Sequence, residues 1–267
     1  MHATDCHAHV FDLSAPLVGD RRYTPPRSAS AAQYVDQLAT HGFERGVLVQ
    51  PSFLGTDNRQ MLAALREFGD RLRGIAVVDP DVASAELDEL DAGGTVGIRL
   101  NLIGKPMPPL RDPRWQRLLK ELVARGWHVE IHSHARALDA LLPALVDAGV
   151  RVAVDHMGRP DPALGTDDPG FRYLLSMAST RAVWVKLSGA YRHGADGPVL
   201  AARAVPLLID AFGLDRLVWG SDWPHTMFEE SMTYGETVRR LDAWLPDAGD
   251  RAIVTAETPA GLYGWRS

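Results

Sequence analysis

The chain has 267 residues, of which 46% are hydrophobic and 23% are charged, a balance that excludes a disordered, collagenous or low-complexity protein. Its 28 Lys and Arg residues against 34 Asp and Glu residues give a net charge of −6, which argues against non-specific nucleic-acid binding because that binding needs a basic surface. The single cysteine, Cys6, excludes an intrachain disulfide and a cysteine-rich metal site.

Eight short apolar segments predict β-strands along the chain, and each is followed by a longer segment with helical periodicity. The predicted strands are residues 4–11, 46–52, 72–78, 96–102, 128–133, 151–157, 183–189 and 216–222. Runs such as Val47-Leu48-Val49 are apolar on both faces, which is typical of parallel strands covered by helices.

The predicted helices are residues 32–41, 57–68, 84–91, 113–125, 137–148, 169–179, 200–212 and 229–244, and residues 250–263 predict a last helix that closes the bottom or side of the fold. Eight strand-helix units predict an α/β protein built as a single (β/α)8 TIM barrel, with residues 1–267 as one domain. No glycine-rich phosphate loop follows the first strand, which argues against an open doubly wound sheet.

Polar residues mark the first predicted strand and the carboxyl ends of several others. Because strand side chains alternate, Asp5, His7 and His9 are expected on one face, with Cys6 pointing outward into the helix layer. The strand-end residues are Arg99, His132, His156 and Asp222. Barrel enzymes build their active sites at this end of the strands, so we expect these residues to meet there. Each taken singly also has a structural interpretation, such as an ion pair for Arg99 or a cap for Asp222.

The wider pattern resembles the amidohydrolase superfamily. The motifs that carry the resemblance are Asp5-x-His7-x-His9 and the runs 154–160 and 219–225, and those that resemble the branch of 2-pyrone-4,6-dicarboxylate lactonases are the runs 22–25, 49–52, 55–59 and 97–101. The similarity covers nearly the whole chain. It implies a hydrolase of aromatic-compound degradation that opens a small anionic carboxylated lactone.

The same resemblance implies roles for individual residues. Asp222 is expected to be the general base that activates water, with His7, His9 and His156 lining the scissile carbonyl. The expected substrate-binding residues are Tyr23, Ser52, Arg99, Lys105, His132, Arg192 and His225. Lys105 stands where that branch has an arginine, so its carboxylate clamp is expected to be weaker or differently aimed. Ester hydrolysis of an anionic substrate needs such a base, donors and cations.

His132 opens an alternative, because the lactonase branch has tyrosine there and works without a metal. Metal-dependent relatives use a histidine at this position, so His7, His9, His132 and Asp222 would complete a zinc site. The sequence therefore also allows a zinc-dependent hydrolase or non-oxidative decarboxylase. A third interpretation is a non-catalytic barrel that binds an anionic metabolite. No cofactor is obligatory under the first interpretation.

Several further features have open or structural interpretations. Arg159 is expected to fix a loop more than to bind substrate, the role of His134 is undecided, and the proline-rich run 105–109 is expected to shape the pocket.

No apolar run is long enough to cross a membrane and no signal peptide is recognisable, so a cytoplasmic location without membrane or nucleic-acid partners is expected. The oligomeric state stays open, a homo-oligomer included.

Overall fold

The computed structural model describes residues 2–265. Eight parallel strands follow one another in sequence order within one sheet. Their bounds are β1 Thr4–Ala8, β2 Arg45–Val49, β3 Leu72–Ala76, β4 Thr95–Asn101, β5 His128–His132, β6 Arg151–Val154, β7 Val183–Leu187 and β8 Leu217–Trp219. The predicted α/β class and (β/α)8 barrel are confirmed. The predicted domain, residues 1–267, includes residue 1 and residues 266–267, which lie outside the described range.

The helices alternate with the strands as expected. Their bounds are α1 Ala31–Thr40, α2 Arg59–Phe68, α3 Ser84–Ala92, α4 Pro113–Ala124, α5 Leu138–Asp147, α6 Pro169–Ser176, α7 Gly197–Phe212, α8 Tyr234–Trp244, α9 Ala248–Ala252 and α10 Thr258–Leu262, with a π-helical segment, Ile253–Glu257, between the last two. The helix predicted to begin at residue 229 begins five residues later, where the Thr233 hydroxyl caps α8 by accepting from the Glu236 amide. No helix within residues 2–265 is long and apolar enough to cross a lipid bilayer.

The barrel closes where the carboxyl end of β1 meets the segment that follows β8. The His9 amide donates to the Trp223 carbonyl at 2.7 Å, and the Asp222 amide donates to the His7 carbonyl at 2.8 Å. The predicted eighth strand, residues 216–222, is therefore only partly regular strand, because β8 ends at Trp219. The remaining residues bend across the top of β1 and carry Asp222 over the barrel mouth.

The core has two layers, as a barrel covered by helices requires. Outward-facing strand residues such as Leu48, Ile98 and Val129 pack against the helices. A separate interior cluster contains Val47 and Val218 and is covered at the amino end of the strands by the chain that follows α9. This arrangement leaves the opposite, carboxyl end of the barrel open for a site.

The expected orientation of two residues in β1 is wrong. A register irregularity between Asp5 and Ala8 shifts the strand against β2, so strict alternation fails there. Asp5 points into the strand-helix layer, where its carboxylate accepts from the Ser221 amide at 2.8 Å and from the Tyr234 hydroxyl at 3.1 Å. Cys6 instead lies in the interior cluster. Asp5 therefore fixes the β1–β8 junction from outside the barrel and takes no part in the site.

Candidate active site

Asp222 lies at the centre of the barrel mouth, on the segment that follows β8. Its Oδ2 atom accepts from the Tyr191 hydroxyl at 2.7 Å and from Nε of Arg192. Its other oxygen, Oδ1, is buried and has no hydrogen-bond partner among residues 2–265. Burial would raise the pKa of Asp222, but the positive charge of Arg192 and its hydrogen bond to the carboxylate oppose burial, and the pKa is held well below its usual range. The carboxylate is therefore ionised, with one oxygen held and one oxygen free.

Three predicted histidines surround the Asp222 carboxylate. Nε2 of His7 and of His9 lie 3.8 and 3.7 Å from Oδ1, and Nε2 of His156 lies 4.0 Å from Oδ2. Burial is the largest cause that lowers the pKa of each ring, so all three imidazoles are neutral near pH 7. The structure thus brings together all four residues for which a catalytic role was expected.

The partners of the first two rings assign their tautomers. Nδ1 of His9 lies 2.7 Å from the Val49 carbonyl, to which it must donate, so Nε2 carries the lone pair. Nδ1 of His7 lies 3.0 Å from the Lys186 ammonium, which can only donate, and 3.4 Å from Oδ1 of Asp155. The nearer ammonium assigns the lone pair to Nδ1 and the proton to Nε2. His7 therefore offers a donor and His9 an acceptor to the same small region beside Asp222.

The Lys186 ammonium belongs to a buried charge network beneath the site, which sequence reasoning missed. It lies 2.6 Å from Glu130 and 3.4 Å from Asp155, and Asp155 in turn accepts from Nε of Arg99 at 3.0 Å. All four side chains are at most 3% exposed. Charged residues within otherwise apolar strands were the available signal, because such residues are almost never buried unless they are paired.

His156 is placed by an unusual backbone and by a glycine. It follows β6 with a left-handed φ of 50°, as Asp222 follows β8 with a φ of 62°, conformations that cost a non-glycine residue about 1–3 kcal/mol each. Its Nδ1 lies 2.8 Å from the Ser188 hydroxyl. A Cβ atom on Gly189 would stand 2.6 Å from the same nitrogen. Only glycine at this position leaves the imidazole where it is.

A cavity of about 210 Å³ opens above Asp222, and most of the predicted site residues line it. These are His9, Tyr23, Ser52, Arg99, His132, His156, Arg192 and Asp222. His7 lies directly beneath the floor, His225 is buried behind Tyr191, and Lys105 is exposed away from the lining. His134 lines a neighbouring cavity that shares Arg159 with this one. A volume this small suits one small ring rather than a drug-sized ligand.

Four arginines line the cavity, and sequence reasoning assigned only two of them to the substrate. Arg99 and Arg192 already hold Asp155 and Asp222. Arg159 donates to the Arg192 carbonyl at 2.8 Å, which is the kind of loop-fixing contact expected of it, yet it also faces the cavity. Arg22, on the loop after β1, belongs to the motif 22–25 but was given no substrate role, because nothing in the sequence shows where that loop folds.

The proposed zinc ligands are not brought together as a set of four. Ligand atoms of His7, His9 and Asp222 lie within 4.8 Å of one another and could hold a metal ion by distance. His132 stands outside this group, because its Nδ1 and Nε2 face guanidinium nitrogens of Arg99 and Arg159 at 3.1 and 3.4 Å.

The donor chemistry of the remaining three residues does not suit a metal cation. With Lys186 donating to Nδ1 of His7, the proton on Nε2 leaves no lone pair for a metal. A metal-bound histidine ordinarily donates its other ring N–H to a carbonyl or carboxylate. The group nearest to Nδ1 of His7 is instead the Lys186 ammonium at 3.0 Å, while Oδ1 of Asp155 lies at 3.4 Å and makes no hydrogen bond to it. The guanidinium on Asp222 adds a like charge beside the same place.

The family model described as Amidohydrolase matches residues 4–265. The chain belongs to the amidohydrolase family. It is 34% identical to the 2-pyrone-4,6-dicarboxylate hydrolase of Comamonas testosteroni, over 98% of this chain and 90% of that protein. It is 30% identical to the 4-sulfomuconolactone hydrolase of Hydrogenophaga intermedia, over 97% of this chain and 88% of that protein.

A solved structure extends the similarity of this amidohydrolase to three dimensions. The probable 2-pyrone-4,6-dicarboxylic acid hydrolase of Acinetobacter baumannii, described with citric acid bound, superposes with a TM-score of 0.96 and 38% identity, covering 99% of this chain and all of that chain. The family predicted from the motifs is confirmed. These relatives are named as lactone or pyrone hydrolases, so the comparisons do not favour the decarboxylase or the non-catalytic barrel.

Proposed function

We propose that this amidohydrolase hydrolyses the ring ester of a small lactone that carries two carboxylates, of the 2-pyrone-4,6-dicarboxylate class. The strongest support comes from the two oxygens of the Asp222 carboxylate. Arg192 and Tyr191 donate to Oδ2, while Oδ1 accepts no hydrogen bond from residues 2–265 and lies at the cavity floor. The names of the relatives supply the substrate class. A carboxylate fixed through one oxygen keeps the other in a constant place for proton transfer.

The hydrolytic water is held where the polar atoms around Asp222 converge. Oδ1 of Asp222 and Nε2 of His9 accept its two hydrogens, while Nε2–H of His7 donates to its oxygen. Nε2 of His7 and Nε2 of His9 each lie within 3.8 Å of Oδ1 of Asp222. A bound water ordinarily has two to four such partners. Because His7 lies beneath the cavity floor, it is assigned to the water rather than to the lactone carbonyl.

His156 faces the cavity and polarises the lactone carbonyl. We assign the Ser188 hydroxyl as the donor to Nδ1, so that Nε2 carries the proton; within residues 2–265 Nε2 has no hydrogen-bond partner. Such a fixed donor stabilises the negative charge that develops on the carbonyl oxygen. The low pKa of His156, caused chiefly by burial, keeps the ring neutral, so it donates a hydrogen bond without being an imidazolium.

The atoms balance in two steps. The water oxygen bonds to the carbonyl carbon, its proton passes to Oδ1 of Asp222, and the carbonyl oxygen becomes an oxyanion facing His156. The oxyanion then reforms the carbonyl as the bond between that carbon and the ring oxygen breaks. The leaving ring oxygen takes the proton from Asp222, so the carboxylate is regenerated and one water has been consumed.

We also propose that the reaction needs no metal ion. The tautomer that Lys186 imposes on His7 and the ion pair between Arg192 and Asp222 support a reaction carried by side chains alone. We propose a cytoplasmic enzyme with a small dianionic substrate, for which no metal ion is required.

A direct screen tests the function. Purified enzyme is mixed with pyrone-dicarboxylate, muconolactone and uncarboxylated lactones, and loss of the lactone is followed by ultraviolet absorbance, with and without a chelator. We expect turnover of the dicarboxylated pyrone and at least about 100-fold lower kcat/KM for lactones without carboxylates, since each charged hydrogen bond contributes about 1.5–3 kcal/mol. Equal rates on all lactones, or no hydrolysis of any, would contradict the proposal.

A further inference from the structure

The charges around the cavity are unevenly compensated. Arg99 is paired with Asp155 and Arg192 with Asp222, so each contributes little net charge. Arg22 and Arg159 also line the cavity, but within residues 2–265 neither makes an ion pair with a carboxylate. Their guanidinium groups instead contact neutral atoms, an Asn101 amide oxygen for Arg22 and a histidine nitrogen and a carbonyl for Arg159.

These two arginines also repel the other cations of the mouth. Burial and then the charges of Arg192 and Arg22 lower the pKa of Arg159 to about 10. Burial and then the charges of Arg99 and Arg192 lower the pKa of Arg22. An anion bound between them would relieve this repulsion, and a single carboxylate would relieve only part of it.

We infer that Arg22 and Arg159 form the clamp for the two substrate carboxylates, with Arg22 taking the place expected for Lys105. This rests on the proposed lactone hydrolysis and names the residues that select a dianion. Two uncompensated guanidinium groups match two carboxylates in charge, and the planar fork of arginine matches a carboxylate in geometry. Arg159 lies against His132 at the inner wall and binds the carboxylate nearer to the catalytic residues.

Arg22 occupies the outer position. It reaches the mouth from the loop after β1, where its Nη2 lies 3.4 Å from Oδ1 of Asn101 at the end of β4. Lys105 is exposed and does not line the cavity. The second clamp therefore comes from a different loop than the sequence suggested, and discrimination between singly and doubly carboxylated ligands depends on Arg22.

Two probes that the enzyme cannot hydrolyse separate this inference from the activity. Isophthalate and benzoate differ by one carboxylate, and calorimetric titration gives the Kd of each for wild type, Arg22→Gln and two controls. Arg21→Gln is the matched control, because Arg21 neighbours Arg22 but donates to Thr24 and Val18 away from the cavity. Lys105→Gln tests the rival position.

We expect wild type to bind isophthalate at least about 10-fold more tightly than benzoate, in keeping with one charged hydrogen-bonded contact. Arg22→Gln removes most of this preference while the Kd for benzoate changes less than about threefold, and both controls keep the preference. An unchanged preference in Arg22→Gln, or its loss in Lys105→Gln instead, overturns the inference. Wild type that prefers isophthalate but opens no lactone would support the clamp and contradict the proposed function.

Discussion

Arg192 and Asp222 form a buried ion pair in which the arginine Nε donates to one carboxylate oxygen and leaves the other oxygen bare. The arginine is itself held by the rings of Tyr191 and Phe228, whose centroids lie 5.3 and 5.6 Å from its guanidinium carbon. This pair explains both the ionised state of the base and the direction of its free oxygen.

Loss of the ion pair changes the pH dependence of the reaction. The positive charge of Arg192 is the largest influence that opposes burial, and it helps to hold the pKa of Asp222 well below its usual range. The wild-type rate is therefore not lost through Asp222 until the pH falls well below the usual pKa of a carboxyl group. In Arg192→Gln the effect of burial is no longer opposed by that charge, so the pKa rises and the acidic limb of kcat/KM moves to higher pH. The measurement is a pH profile from 4 to 8.

Arg172→Gln is the control for that profile, because its guanidinium pairs with the exposed Asp167 on the surface. Its profile should match wild type. If the acidic limb of Arg192→Gln stays where the wild type has it, Arg192 does not set the ionisation of the base.

Removing Lys186 should destabilise the fold. Lys186→Met leaves Glu130 and Asp155 buried beside each other without the ammonium between them, and breaking a buried pair costs about 3–5 kcal/mol. Urea unfolding followed by circular dichroism measures the loss. Arg111→Met, which breaks a surface pair with Asp147, should cost at most about 1 kcal/mol. A similar small loss in both variants would show that the network is not needed for stability.

A methyl group beside His156 should slow the reaction. The Cβ of Gly189→Ala would stand 2.6 Å from Nδ1 of His156, so the ring must move, and a displacement near 1 Å can cost about 100-fold in rate. Gly42→Ala is matched in backbone, with a φ of 77°, but nothing lies within 4 Å of its Cβ. We expect kcat to fall at least about 10-fold in the first variant and to be unchanged in the second. Equal kcat values would remove His156 from the mechanism.

Metal analysis tests the proposal that side chains alone carry the reaction. Because the contact with Lys186 assigns the proton of His7 to Nε2, added zinc should compete with the hydrogen bonds of the site and not raise the rate. Elemental analysis of purified enzyme should find well below one metal ion per chain, and dialysis against a chelator should leave kcat unchanged. Stoichiometric zinc whose removal abolishes turnover would refute metal independence.

The sequence predicts the barrel well and the site in part. The runs Val47–Val49 in β2 and Val183–Val185 in β7 are apolar on both faces, a pattern that depends only on local composition. The side chains of Asp5 and Cys6 could not be placed, because the irregular register of β1 depends on its pairing with β2. Regular periodicity likewise predicts a helix over residues 229–233, where the chain instead forms a loop.

The same physical reason explains which residues of the site could be predicted from the sequence and which could not. His7, His156 and Asp222 were found because they stand in or just after strands, whose ends meet in any barrel. Tyr191 and Arg22 were missed because their roles depend on loop conformations that bring them to Asp222 and to the cavity. For Lys186 a signal existed, a charged residue inside an apolar strand, but its partner Glu130 lies on a strand that only the closed barrel brings near.

The most direct test of the account is the turnover of a dicarboxylated lactone by Asp222→Asn, which keeps the shape of the side chain but cannot accept the proton of water. We predict a fall in kcat of at least about 1,000-fold, with circular dichroism and isophthalate binding like those of wild type, while Asp210→Asn on the exposed face of α7 keeps full activity. A folded Asp222→Asn enzyme that turns over near the wild-type rate would contradict the central claim.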